Sequence, residues 1–120
     1  MEGSAAVALR AGLLGLGLLL PALGAAAERT VSRADWSAPA TLEAAAARPL
    51  FHETLADYLA EPGNWVRIAH GGGASGSAWA HDVLGWLVAL GVPGDQVQLD
   101  PAVVAEGRLA LSVHARGERL

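Results

Sequence analysis

The sequence contains no cysteine and no lysine. Without cysteine there is no disulfide framework, no lipid-modified residue behind a leader and no thiolate metal site, so hydrophobic packing must supply the stability. The eight basic residues are all arginine, and twelve acidic residues outnumber them for a net charge of −4. Acidic and basic positions are mixed along the chain without the basic stripe or tail that phosphate backbones select, so nucleic acid is not an expected partner. Beyond residue 20 no apolar run approaches the roughly 20 residues needed to cross a hydrocarbon core of ~30 Å, and no transmembrane segment is expected after the N-terminal region.

What the N-terminus does hold is a leader pattern. Arg10 precedes an unbroken run of Leu, Gly and Ala from Ala11 to Leu20. Pro21 breaks the run, and Gly24-Ala25-Ala26-Ala27 supplies the small side chains of an Ala-x-Ala cleavage site before Glu28. Residues 1–27 therefore read as a signal peptide and residues 28–120 as one domain, periplasmic or secreted. If the segment escaped cleavage it would act as an anchor instead. A chain of this length suffices for a single core that buries roughly 60 to 65% of the unfolded surface, and not for two.

Local patterning gives the elements. Thr30 to Trp36 alternates weakly and reads as a first strand. Thr41 to Glu61 is helix-forming, but Pro49 would break a helix interior, so the helix restarts there with Phe51, Leu55, Tyr58 and Leu59 on one face. Trp65 to His70 is a compact strand. Gly71-Gly72-Gly73-Ala74-Ser75-Gly76-Ser77 then leads into a second helix with an apolar stripe of Trp79, Val83, Trp86, Leu87 and Leu90, closed by Gly91-Val92-Pro93. Gln96 to Asp100 and Arg108 to Val113 alternate as half-buried strands. Each strand has one apolar and one polar face, which predicts an α/β two-layer sandwich: a four-stranded mixed sheet with helices on one face.

The stretch from Leu50 to Val113 resembles the peptidoglycan-binding domains of the OmpA-like family. The resemblance rests on Leu55-Ala56-Asp57-Tyr58-Leu59 with Pro62, on the strand end Val66-Arg67-Ile68-Ala69-His70, and on Trp86 to Pro93 running into a strand at Val97. The shared order of elements implies a cell-envelope domain without catalytic activity or cofactor. In that family an Asp soon after the strand-end His and an Arg early in the next helix grip diaminopimelate. Here Gly71 and Gly72 stand in place of the Asp, Trp79 stands about where the Arg would be, and the connecting loop is shorter. The implied module therefore lacks the usual peptidoglycan grip and binds another envelope component or a protein partner. Peptidoglycan binding through Arg67 or the loop N–H groups stays open beside it.

Several residues invite sharper chemistry. His70-Gly71-Gly72-Gly73 follows a strand as an oxyanion loop does in some esterases, but Gly73-Ala74-Ser75-Gly76-Ser77 lacks the final glycine of a nucleophile elbow. A small enzyme using the His70 loop is the alternative reading. The same loop entering a helix could hold a carboxylate or phosphate on Gly73 to Ser77, although no lysine follows to make a P-loop, and the plainer role is a tight turn with Ser77 as the cap. His70, His81 and His114 lack metal-ligand spacing, so no metal is expected. Trp65, Arg67, Gln96, Gln98, Ser112 and His114 are expected together on the uncovered face of the sheet. The expected ligand contacts are His70, Gly71, Gly72, Gly73, Ser75, Ser77 and Arg67.

Overall fold

Alternation and helix-stop signals place the elements largely where the chain adopts them. The computed structural model describes residues 27–101, 104 and 106–118. The expected leader, apart from Ala27, lies outside the described residues. Strands β1 (Glu28–Ser32), β2 (Trp65–His70), β3 (Val97–Asp100) and β4 (Arg108–His114) are joined through helices α1 (Leu42–Ala47), α2 (Pro49–Leu59) and α3 (Gly73–Ala89). The sheet order is β1-β4-β2-β3. β4 runs antiparallel to both β1 and β2, and β3 runs parallel to β2, so the sheet is mixed.

The helices form for local reasons. Thr41 caps α1 by accepting the Ala44 N–H at 3.0 Å. Arg48 leaves helical geometry, and Pro49 then opens α2, where its missing N–H removes nothing from the helix. α3 ends in a Schellman motif: the Val92 N–H reaches the Leu87 carbonyl and the Gly91 N–H reaches the Val88 carbonyl, with Gly91 at φ +112. Val92 is buried behind the cap.

Register fixes the core. Val66, Ile68, Val97, Leu109 and Leu111 come from one face of the sheet and join Phe51 of α2 and Trp79, Ala80, Val83 and Leu87 of α3 in one buried cluster. On the α2 side, Arg29 of β1 donates to Glu53 at 3.1 Å and Asp57 at 2.7 Å, so the acidic residues of α2 hold the edge strand. Burial acts to lower the pKa of Arg29, but its hydrogen bonds to both carboxylates raise it further, and the group stays charged. Asn64 is also buried and donates to the Asp57 carbonyl at 3.1 Å, tying the loop before β2 to the end of α2.

Four expectations are corrected. The first strand lies at Glu28–Ser32 rather than from Thr30 to Trp36, because Ser32 caps a 3-10 turn over Arg33–Asp35 that lifts the chain out of the sheet. Leu59 is 75% exposed; the place on the buried face of α2 is taken by Thr54, whose hydroxyl donates to the Leu50 carbonyl at 2.7 Å and so needs no solvent. Gln96 sits in a 3-10 turn, Gly94–Gln96, rather than on a strand face. Ser77 is not a cap, because α3 already begins at Gly73 with Gly72 in the capping position.

Candidate functional site

Where β2 ends, the chain must reverse into α3 within two residues. His70 is buried and donates Nδ1–H to the Gly71 carbonyl at 2.8 Å, which fixes the tautomer and pins the loop. Gly73 takes φ +87, and the chain enters α3. A Cβ on Gly76 would lie 2.3 Å from the Gly71 carbonyl oxygen, so the helix seats on the loop only because Gly76 has none. Gly71 and Gly72 are different: an added Cβ at either meets nothing within 4 Å, and neither has a positive φ. The fold does not require glycine at these two positions.

Both glycines line a cavity of about 420 Å³. Its wall combines the loop and first turn of α3 (Gly71, Gly72, Ser75, Gly76) with Arg33 after β1 and with Glu106 and Arg108 before and at the start of β4. The long-range pairing of β1 with β4 builds it: Ser32 is in register with Arg108, and the Arg33 N–H reaches the Gly107 carbonyl at 2.7 Å. Arg33 lies over the Trp79 ring at 5.0 Å, which holds the guanidinium against the wall. Trp79 also lines the cavity, is otherwise packed in the core, and carries a buried Nε1–H with no hydrogen-bond partner among the described residues.

The structure therefore divides the expected ligand contacts. Gly71, Gly72 and Ser75 come together on the cavity wall, and Gly73 adjoins them as the turn. His70 stands behind the loop, occupied in holding it. Ser77 lies one turn further along α3, where its carbonyl accepts from His81 Nδ1 at 2.9 Å. Arg67 is on the opposite face of the sheet in a close ion pair with Asp100, with no part in the loop. Arg33, Glu106 and Arg108 escape a local reading, since only the β1–β4 register brings them to the glycines.

The sheet face away from the helices carries its own network. Trp65 is buried rather than exposed: its ring stacks on His114 at 4.8 Å and its Nε1–H reaches the Ala115 carbonyl at 3.1 Å. Ser112 Oγ and His114 Nε2 are 2.8 Å apart, and His114 Nδ1 lies 3.6 Å from Glu118 Oε1. This serine–histidine–carboxylate chain has the composition of an acyl-transfer triad. Its serine, however, is 5% exposed in mid-strand, paired with neighbours on both sides, and it does not line the glycine-loop cavity. Nucleophilic attack needs an approach for a carbonyl and donors for the oxyanion, and a mid-strand serine offers neither.

Among the described residues no group of three or more His, Asp or Glu side chains is placed to hold a metal ion, and no helix is long and apolar enough to cross a membrane. Comparison with family models, with curated proteins and with solved structures finds no match. The fold and the cavity together define an α/β domain with a mixed four-stranded sheet and a concave site at the end of β2.

Proposed function

We propose that this chain is an exported, non-catalytic binding module of the cell envelope, OmpA-like in architecture, that takes its ligand in the cavity beside the glycine loop. The observation that carries the reading is the composition of that wall: two glycines the fold does not need, set against arginines from distant parts of the chain. Bare backbone facing a cavity is what a close-fitting ligand requires, and a few convergent polar groups are what orient it. The leader pattern of residues 1–27 and the element order strand, two helices, strand, helix, strand, strand support the envelope assignment. Gly71, Gly72 and the core-packed Trp79 support the loss of the family's diaminopimelate grip.

Gly72→Leu separates binding from folding, because Gly72 has extended backbone geometry and open space where the new side chain would go. The processed domain and this variant are screened by thermal shift against fragments of cell-envelope polymers. Compounds that raise the melting temperature of the wild type and leave Gly72→Leu unmoved support the reading. Compounds that stabilise both equally place binding elsewhere and overturn it. Purified sacculi should sediment with little or none of the domain; strong co-sedimentation competed off by free diaminopimelate would refute the lost grip. Intact mass of protein recovered from a periplasmic fraction should begin at Glu28, and a mass that retains residues 1–27 would move the module onto the membrane.

A further inference from the structure

Of the six described arginines, two have carboxylate partners. Arg29 is held by Glu53 and Asp57, and Arg67 by Asp100. Arg33 and Arg108, which both line the cavity, have no carboxylate partner among the described residues. Arg33 is held instead through the face of Trp79, a contact that uses none of its five N–H donors. In a chain of net charge −4, two arginines without a carboxylate partner and one glutamate, Glu106, on the lining of one cavity leave a local excess of positive charge.

We infer that the cavity binds a phosphate group, either free or as the monoester end of a small ligand. Planar guanidinium forks match phosphate oxygens in pairs, and a tetrahedral dianion offers more acceptors to donors arriving from several directions than a carboxylate does. Those directions are present here. Arg33 lines the cavity from the end of β1, Arg108 from the start of β4, and Ser75 from α3. No side chain caps the first turn of α3, whose N–H groups are left without intrahelical partners, and Ser75 and Gly76 of that turn line the same wall. Trp79 contributes independently: it is 4% exposed, lines the cavity, and its Nε1–H is a buried donor without an acceptor among the described residues. Gly71 and Gly72 keep the wall free of Cβ atoms, so oxygens can approach the backbone. At about 420 Å³ the space exceeds one phosphate and leaves room for the group that bears it. Glu106 is the one acidic residue on the wall and opposes the bound charge.

This inference rests on the cavity being the binding site, and its test is built to fail separately. Isothermal titration of the processed domain is run with inorganic phosphate, glycerol 3-phosphate and acetate. Binding of either phosphate compound, with acetate much weaker, is expected; tighter binding of glycerol 3-phosphate marks a monoester ligand and tighter binding of inorganic phosphate marks the free ion. Arg33→Gln and Arg108→Gln should each weaken binding about tenfold, the effect of losing one charge-assisted contact. Glu106→Gln should strengthen it. Circular dichroism should show all three variants folded, since the side chains are at the surface. Acetate binding as well as phosphate, phosphate binding indifferent to both arginines, or no phosphate binding at all would each overturn the inference. If phosphate fails while envelope fragments still distinguish Gly72→Leu from the wild type, the cavity stands as the site and only the ligand class falls.

Discussion

At the scale of single residues, two glycines of the same helix should respond to alanine in opposite directions. Gly85 faces open space in the interior of α3, so Gly85→Ala should stabilise by roughly 0.5 to 1 kcal/mol through helix propensity. Gly76→Ala gains the same propensity but drives a Cβ against the Gly71 carbonyl, and should destabilise. Chemical denaturation of the pair reads the difference; stabilisation by both would mean that the loop does not seat on α3 as described. Leu87 is buried between α3 and the sheet, and Leu87→Ala should cost about 2 to 5 kcal/mol, whereas His81→Ala, on the exposed side, should cost little. A reversed ranking would put the phase of the helix in error.

At the scale of elements, the helix starts are the points to probe. Thr41→Ala removes the only side chain capping α1 and should lower stability by about 1 kcal/mol, read from the midpoint of thermal unfolding. The same local chemistry explains why the helices were legible in the sequence. Pro49 divides α1 from α2, and Gly91 with Val92 and Pro93 stops α3, because both devices act within a few residues. The strand β2 was equally plain. Other features depend on distant partners. β1 is set by its pairing with Leu109 and Leu111 rather than by its own weak alternation. Thr54 is a local case that reads as polar in sequence, although its hydroxyl is satisfied by the Leu50 carbonyl of its own helix. The site was half legible for the same reason. Gly71, Gly72 and Ser75 announce themselves in a run of glycine and serine, while Arg33 and Arg108 look like ordinary surface cations until the first and last strands are laid side by side. Arg67 appeared available only because its partner, Asp100, belongs to a strand whose parallel register with β2 the local pattern does not reveal.

At the scale of the whole molecule, the sheet order carries a consequence for folding in time. The last strand lies between the first and the second, and its ladder joins Glu28 to Ser112 across nearly the whole described chain. The first strand therefore has no neighbour until the last has been made. A nascent chain ending at Asp100 can form α2, β2, α3 and β3, but it leaves β1 unpaired and the core without Leu109 and Leu111. Such long-range closure slows folding, since the loop entropy must be spent before the pairing returns anything. The export proposed above would be served by that delay, since a translocation channel passes extended polypeptide. The arrangement predicts that a chain truncated after Asp100 digests rapidly with protease while the full domain resists, and that the full domain becomes resistant only after β4 has emerged. It would also keep the two arginines of the cavity apart until the same moment, so that the proposed binding site and the finished fold come into being as a single event.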